Sequence, residues 1–311
     1  MRSIRGGEMI GVFQKSMGRR FRALLCGDPS GTPPWLGVVA EGEGPGFYEP
    51  NEAPWVVHED LATLVGGVRA LLMQALHPGS LAGVRDHSRY EADPLGRLAG
   101  TIQWLTITTF ASREGVMKEA ARVRGMHGRV KGSYEGADGL QKSYRASDPE
   151  LLKWVHIAFT DSFLRCHQAY SARPIPGGAD AYVRLWARSV VPLGLEDAPL
   201  SEAGLVSSLE GFEADLVVNE STREVLRWLE NPPLPWVAGR VYRLLFHAAY
   251  ATLPEGLQDR IGLRTWPKAV LQPVTRAFLK ALRMAIGPES PIQDVAIERL
   301  ERSGWRPNGG V

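Results

Sequence analysis

Cysteine is close to absent from this sequence. Cys26 and Cys166 are its two thiols in 311 residues. They lie too far apart for a CxxC pair, which excludes a disulfide framework, a zinc ribbon, a thioredoxin-like motif and covalent c-type haem attachment. An excess of one charge is lacking too. Lys and Arg number 36 against 34 Asp and Glu, a net charge of +2, which gives no reason to expect nucleic acid or an acidic polymer as partner. Long apolar runs are missing. Residues 61–76 are broken by Arg69, and residues 236–253 by Arg240, Arg243 and His247; neither supplies the ~20 uninterrupted apolar residues of a bilayer-spanning helix. Residues 1–25 hold six basic side chains and one acidic one, but no apolar h-region and no cleavage site. The expectation is a reduced, soluble, cytoplasmic protein. The HExxH, GxSxG, Walker and GxGxxG signatures are also absent, which removes most support for zinc-protease, hydrolase and nucleotide-binding chemistry.

What is present is apolar and helical. At 44% hydrophobic the chain has ample material for a core, in one large domain or two small ones of roughly 100–200 residues. Gly and Pro cluster in residues 26–54, which predicts an irregular segment wrapping the surface. Residues 13–25 read as a basic helix, either resting on a membrane surface or docked by Phe13, Met17, Phe21 and Leu24. Further helices are predicted over 61–76, stopped at Pro78-Gly79, then from Pro94 to about Ala111 and from Arg113 to Val130, closed by Gly132. Ser147-Asp148-Pro149-Glu150 is a strong helix start, leading to about Tyr170. Others follow over 179–190, 201–219, 222–230, 237–251 and 272–286. No run of alternating strands is seen. The prediction is one all-α domain, divided into a basic helix and irregular arm (1–54), a helical bundle (55–290) and a tail (291–311).

Chemistry narrows to histidines and one arginine–threonine pair. Val116, Ala120, Val123, His127 and Val130 recur at helical spacing, placing the His127 imidazole on an apolar face pointing inward. Such a histidine is either a hydrogen-bonded core residue or a ligand. Arg122, Arg124, Arg129 and Lys131 flank it, as partners for cofactor carboxylates or as a solvated face. Arg97, Thr101, Trp104 and Thr108 share a face of the preceding helix, with Arg97 and Thr101 one turn apart. If buried, that pair needs polar partners, because an unpaired buried group costs ~1–3 kcal/mol; a bound ligand is one candidate, and Asp93 or Glu91 beside Arg97 the other. His156 lies on a face with Leu152, Phe159, Phe163 and His167. His77 and His87 flank a predicted loop over a pocket, or cap helix ends. His58 and His247 read as background. Three inward histidines are compatible with a metal site, and a single imidazole in an apolar helical pocket suits haem iron at least as well.

Several motifs then resemble one family. Leu71-Leu72-Met73-Gln74-Ala75-Leu76-His77-Pro78, Gly83-Val84, His87-Ser88 and Asp93-Pro94 with Arg97 and Thr101 come first. Val123-Arg124-Gly125-Met126-His127-Gly128-Arg129-Val130-Lys131-Gly132 follows, then Tyr144, Asp148-Pro149, Leu151-Leu152 and Trp154-Val155-His156, and finally Leu253-Pro254 with Leu257, Arg260 and Gly262. Their order and spacing over about residues 55–285 resemble the MpaB-type oxygenase and latex clearing protein (rubber oxygenase) superfamily. That resemblance implies an all-helical, globin-like core binding haem b non-covalently, with His127 as the proximal iron ligand. Arg97 and Thr101 match the family's polar pocket pair, the catalytic candidates, and His156 and His77 are further cofactor-binding candidates. The implied reaction uses dioxygen on a small apolar, isoprenoid or lipid-like substrate. Rubber oxygenases carry a lysine close to the pocket threonine, where this chain has Gly100, which leaves the sixth iron position to water, oxygen or another side chain. The alternative from another class is non-catalytic haem binding, as a sensor or carrier.

Overall fold

A computed structural model of the chain describes residues 2–88 and 94–306, with side chains over 11–88 and 99–306. In chain order it contains α1 (Arg2–Cys26), α2 (Leu36–Ala40), α3 (Ala53–Glu59), α4 (Ala62–Leu76), α5 (Pro78–His87), α6 (Pro94–Phe110) and α7 (Arg113–His127). A hairpin of β1 (Lys131–Glu135) and β2 (Gln141–Arg145) follows, then α8 (Pro149–Tyr170) and α9 (Gly178–Trp186). The remainder is α10 (Glu202–Gly211), α11 (Glu220–Glu230), α12 (Trp236–Tyr250), α13 (Glu255–Ile261), α14 (Lys268–Ile286) and α15 (Pro291–Arg302). The predicted all-α class holds, with one two-stranded addition.

α4 is the axis of the bundle. Apolar residues occupy nearly every position from Ala62 to Leu76, so it buries all faces rather than one stripe. It lies along α8, where Trp154, Ile157, Ala158, Phe163 and Leu164 join Leu72, Met73 and Leu76 in the main core. Gly66 allows the close approach: a Cβ there would sit 2.7 Å from the Phe163 ring. Arg69, read from the sequence as an interruption, is 1% exposed and pairs with Asp161 of α8 at 2.6 Å. It also donates to the Ser162 hydroxyl at 2.9 Å and to the Thr252 carbonyl.

Several local expectations change. α4 ends at Leu76, before Pro78-Gly79, as expected, but Pro78 also opens a new helix: it takes the first position of α5, where a missing N–H costs nothing. The predicted loop between His77 and His87 is therefore helix. Residues 131–145 form an antiparallel hairpin, with Lys131 opposite Arg145 and a turn through Asp138 and Gly139, Gly139 at φ +75°. The 201–219 helix is shorter, ending at Gly211. The irregular segment 26–54 is not merely superficial, since Trp35, Val39 and Tyr48 are buried. Where a tail was expected, α15 buries Ala296 and Leu300 in a second core with Trp35, Val39, Ile107 and Phe110. Arg299 donates there to the carbonyls of Val39 at 2.6 Å and Phe110 at 2.9 Å. α1 docks on α14 through Gln14, which donates to the Met284 carbonyl at 2.8 Å, and through buried Gly18 against the Ile286 carbonyl. Phe13 and Leu24 face outward instead, Phe13 at 58% exposure.

Candidate functional site

α6 and α7 form an antiparallel pair joined at Ala111-Ser112, where the Ser112 hydroxyl caps α7 by accepting from the Gly115 N–H. Glu119 of α7, buried, accepts from Gln103 of α6 and from Arg122 at 2.6 and 2.8 Å. This lock sets the register of the pair. Arg97 stands six residues from Gln103, roughly 9 Å along α6. His127 stands eight residues from Glu119, roughly 12 Å along α7 in the same direction. Both therefore lie toward one end of the hairpin of helices. The Arg97 side chain, and Asp93 and Glu91 offered as its partners, lie outside the described residues.

His127 differs from its expectation. Val116, Ala120 and Val123 are buried as the periodicity predicts, but α7 ends at His127 and the ring is half-buried rather than central to an inward face. The helix closes into the hairpin: the Val130 N–H donates to the His127 carbonyl and the Ala146 N–H to the Val130 carbonyl. On α6, Thr101 is half-buried and Gly100 exposed. A Cβ added at Gly100 or at Gly125 would meet nothing within 4 Å among the described residues. Thr108, at the far end of the same α6 face, is fully buried, with no hydrogen-bond partner for its hydroxyl among the described residues. Of the flanking cations, Arg122 is engaged by Glu119 and Arg124 by the Pro192 carbonyl, whereas Arg129 and Lys131 are exposed.

The other histidines are dispersed. His77 joins α4 to α5, its Nδ1 accepting from the N–H groups of Gly79 at 3.2 Å and Ser80 at 3.4 Å. Its ring packs against Trp154, Tyr134 and Phe212, and burial lowers its pKa. His156 is buried within α8, and burial brings its pKa down to about 4. His87 donates from Nε2 to the Lys131 carbonyl at 3.0 Å, holding α5 to β1. His58 is a core bridge. Thr109 gives its proton to the Leu105 carbonyl, so His58 Nδ1 donates to Thr109 and Nε2 accepts from Tyr182. Among the described residues no three His, Cys, Asp or Glu side chains gather as a metal site. What sequence reasoning missed is the Arg69–Asp161 pair and the surroundings of His247. The signal for the first was a lone arginine in an apolar run, which demands a buried acidic partner.

Compared with known proteins, residues 55–284 match the family model described as ER-bound oxygenase mpaB/B'/Rubber oxygenase, catalytic domain. Neither the curated proteins nor the solved structures compared with it gave a match. Among the described residues no helix is long and apolar enough to cross a membrane.

Proposed function

From the chain's membership of the mpaB/rubber oxygenase catalytic-domain family, which makes it an oxygenase, we propose that it works through haem b bound at the shared end of α6 and α7. The observation that carries this reading is the helix register that sets His127 and Arg97 toward one end, with Thr101 one turn away. The residues present suit the group in kind. They supply one imidazole at a helix end, a hydroxyl on the facing helix, open space at Gly100 and Gly125, and the exposed cations Arg129 and Lys131.

When bound, the haem would supply iron able to bind and activate dioxygen. His127 would hold that iron through its imidazole, in a direction fixed by the hydrogen bonds that tie the end of α7 to the hairpin. Arg97 and Thr101 would donate hydrogen bonds to negative charge developing on oxygen, each worth ~2.7–4 kcal/mol of barrier. Arg129 and Lys131 would meet the two carboxylates. Gly100 would leave room for substrate, for which an apolar isoprenoid or lipid-like chain is proposed. His77 and His156 are kept as residues of the surrounding wall, His77 with Nδ1 already committed to α5. A cytoplasmic setting belongs to the same proposal; Cys26 and Cys166 are free, buried thiols.

The test is an absorption spectrum of the purified protein before and after hemin, beside His127→Ala. A sharp Soret band that weakens or shifts in the variant is expected. No band after hemin addition overturns the proposal. A low-spin ferrous spectrum that resists carbon monoxide would favour the sensor or carrier, with His156 or another side chain closing the iron.

A further inference from the structure

A cavity lies on helices that include neither α6 nor α7. It is a cleft of about 660 Å³ between the end of α11, α12 and the start of α14. Its floor and sides are apolar, from Pro232, Leu234, Leu244 and Leu271. An adjoining pocket of about 400 Å³ shares Arg243, His247, Glu230, Asn231 and Trp266 and adds Arg264 and Thr265. The combined space is thus apolar along its length and polar at one end.

Two features there call for a ligand. Arg240, Arg243 and Arg264 all line the space, and none has an ion pair among the described residues. Among the described residues lining the space Glu230 is the one carboxylate opposing them, so cation exceeds anion. Arg243 is held by the Asn231 amide oxygen at 3.0 Å, and Arg240 lies 4.6 Å over the Trp236 ring. Finally, Trp236 and Trp266 stand 71% and 62% exposed at the rim, unusual for residues that bury so much apolar area elsewhere.

We propose that this cleft binds a monomeric long-chain carboxylate of the fatty-acid class. The carboxylate lies between Arg243 and Arg264. The chain runs along Leu244, Leu234 and Leu271 and is covered by Trp236 and Trp266.

The experiment titrates the whole protein with a fatty acid carrying a nitroxide on its tail, reading quenching of tryptophan fluorescence. Saturable quenching is expected, with reduced amplitude in Trp236→Phe and Trp266→Phe. The matching fatty alcohol should bind about tenfold more weakly or worse, as should the acid to Arg243→Gln and Arg264→Gln. Both arginines are exposed, and far-UV circular dichroism confirms the fold of each variant. His127→Ala should bind the probe unchanged. Equal binding of the alcohol, or unaltered binding by the folded arginine variants, overturns the proposal. So does a response to anionic phospholipid vesicles without one to the monomeric acid, which would make the rim a membrane contact. Hemin that displaced the probe, with its Soret change lost in Arg243→Gln rather than His127→Ala, would overturn both this site and the haem placement above.

Discussion

Replacing Asp161 with alanine strands the Arg69 guanidinium inside the bundle. Arg69 and Asp161 are 1% and 4% exposed and 2.6 Å apart. Removing one member of such a pair typically costs ~3–5 kcal/mol, because the remaining charge stays buried and unpaired. Arg69 would keep the Ser162 hydroxyl and the Thr252 carbonyl, which places the expected loss at the lower end, about 3 kcal/mol. The opposite change is milder. In Arg69→Met, Asp161 retains Arg165 at 3.1 Å, itself partly solvated, so about 1–2 kcal/mol is expected. The double variant should lose less than the sum, since no charge is left stranded. Urea unfolding of all four proteins reads these differences directly, with equal slopes required for the comparison. In a thermal melt Asp161→Ala should fall by roughly 4–5 °C. A loss below about 1 kcal/mol in Asp161→Ala, or strict additivity in the double variant, would show that the pair is not what the geometry says.

Three other outcomes are expected. Burial lowers His156 from the ordinary 6.5 to about 4 and His58 to about 3, so the unfolded chain binds more protons between those values. The stability their neutrality provides is complete above pH 6.5 and lost as pH falls toward 4, roughly 3 kcal/mol from His156 alone. His156→Gln should flatten stability measured from pH 7 to 4.5, and an unchanged slope would refute the assignment. Gly66→Ala places a methyl 2.7 Å from the Phe163 ring and 3.3 Å from the Ser162 carbonyl, and should cost ~1–3 kcal/mol in the same unfolding assay; a neutral result would mean α4 and α8 separate freely. Arg97→Ala should keep haem, by its Soret band, while slowing turnover about 10²–10³-fold. Unchanged oxygen uptake would remove the role given to Arg97.

The helices that carry the core were legible because their signals are local. Asp148-Pro149 opens α8 where the sequence placed it, and the apolar run of α4 ends at Leu76 as its hydropathy predicts. α5 was hidden because Pro78 serves equally as a stop and as a first residue, and only the His77 side chain, bonding Gly79 and Ser80, decides between them. The hairpin was hidden because both its strands are largely exposed and lack apolar alternation, though Asp138-Gly139 was a turn signal in plain view. α15 mixes charged with apolar residues, and its two core residues, Ala296 and Leu300, take their meaning from the second core they meet. At the candidate site, periodicity placed Val116, Ala120 and Val123 correctly, then overran, because spacing does not say where neighbouring elements stop covering a helix. It likewise could not tell that Arg69 meets Asp161, or that His247 faces a cleft, since both depend on which helices lie side by side.

The way α7 ends gives the hairpin a task beyond filling surface. No left-handed glycine terminates this helix; its final carbonyls are taken up by residues 128–130, and Val130 is in turn gripped by Ala146. Tyr144 anchors that clasp against Ala82 and Leu151, and its ring leaves no room for a side chain at Gly132. Under the proposed function, a change to the clasp would turn the last turn of α7 and the imidazole it carries. Residues 130–146 would then act as a tuning peg for His127, and engineering that shifts reactivity should leave its marks at Gly132 and Tyr144 as readily as at the histidine itself.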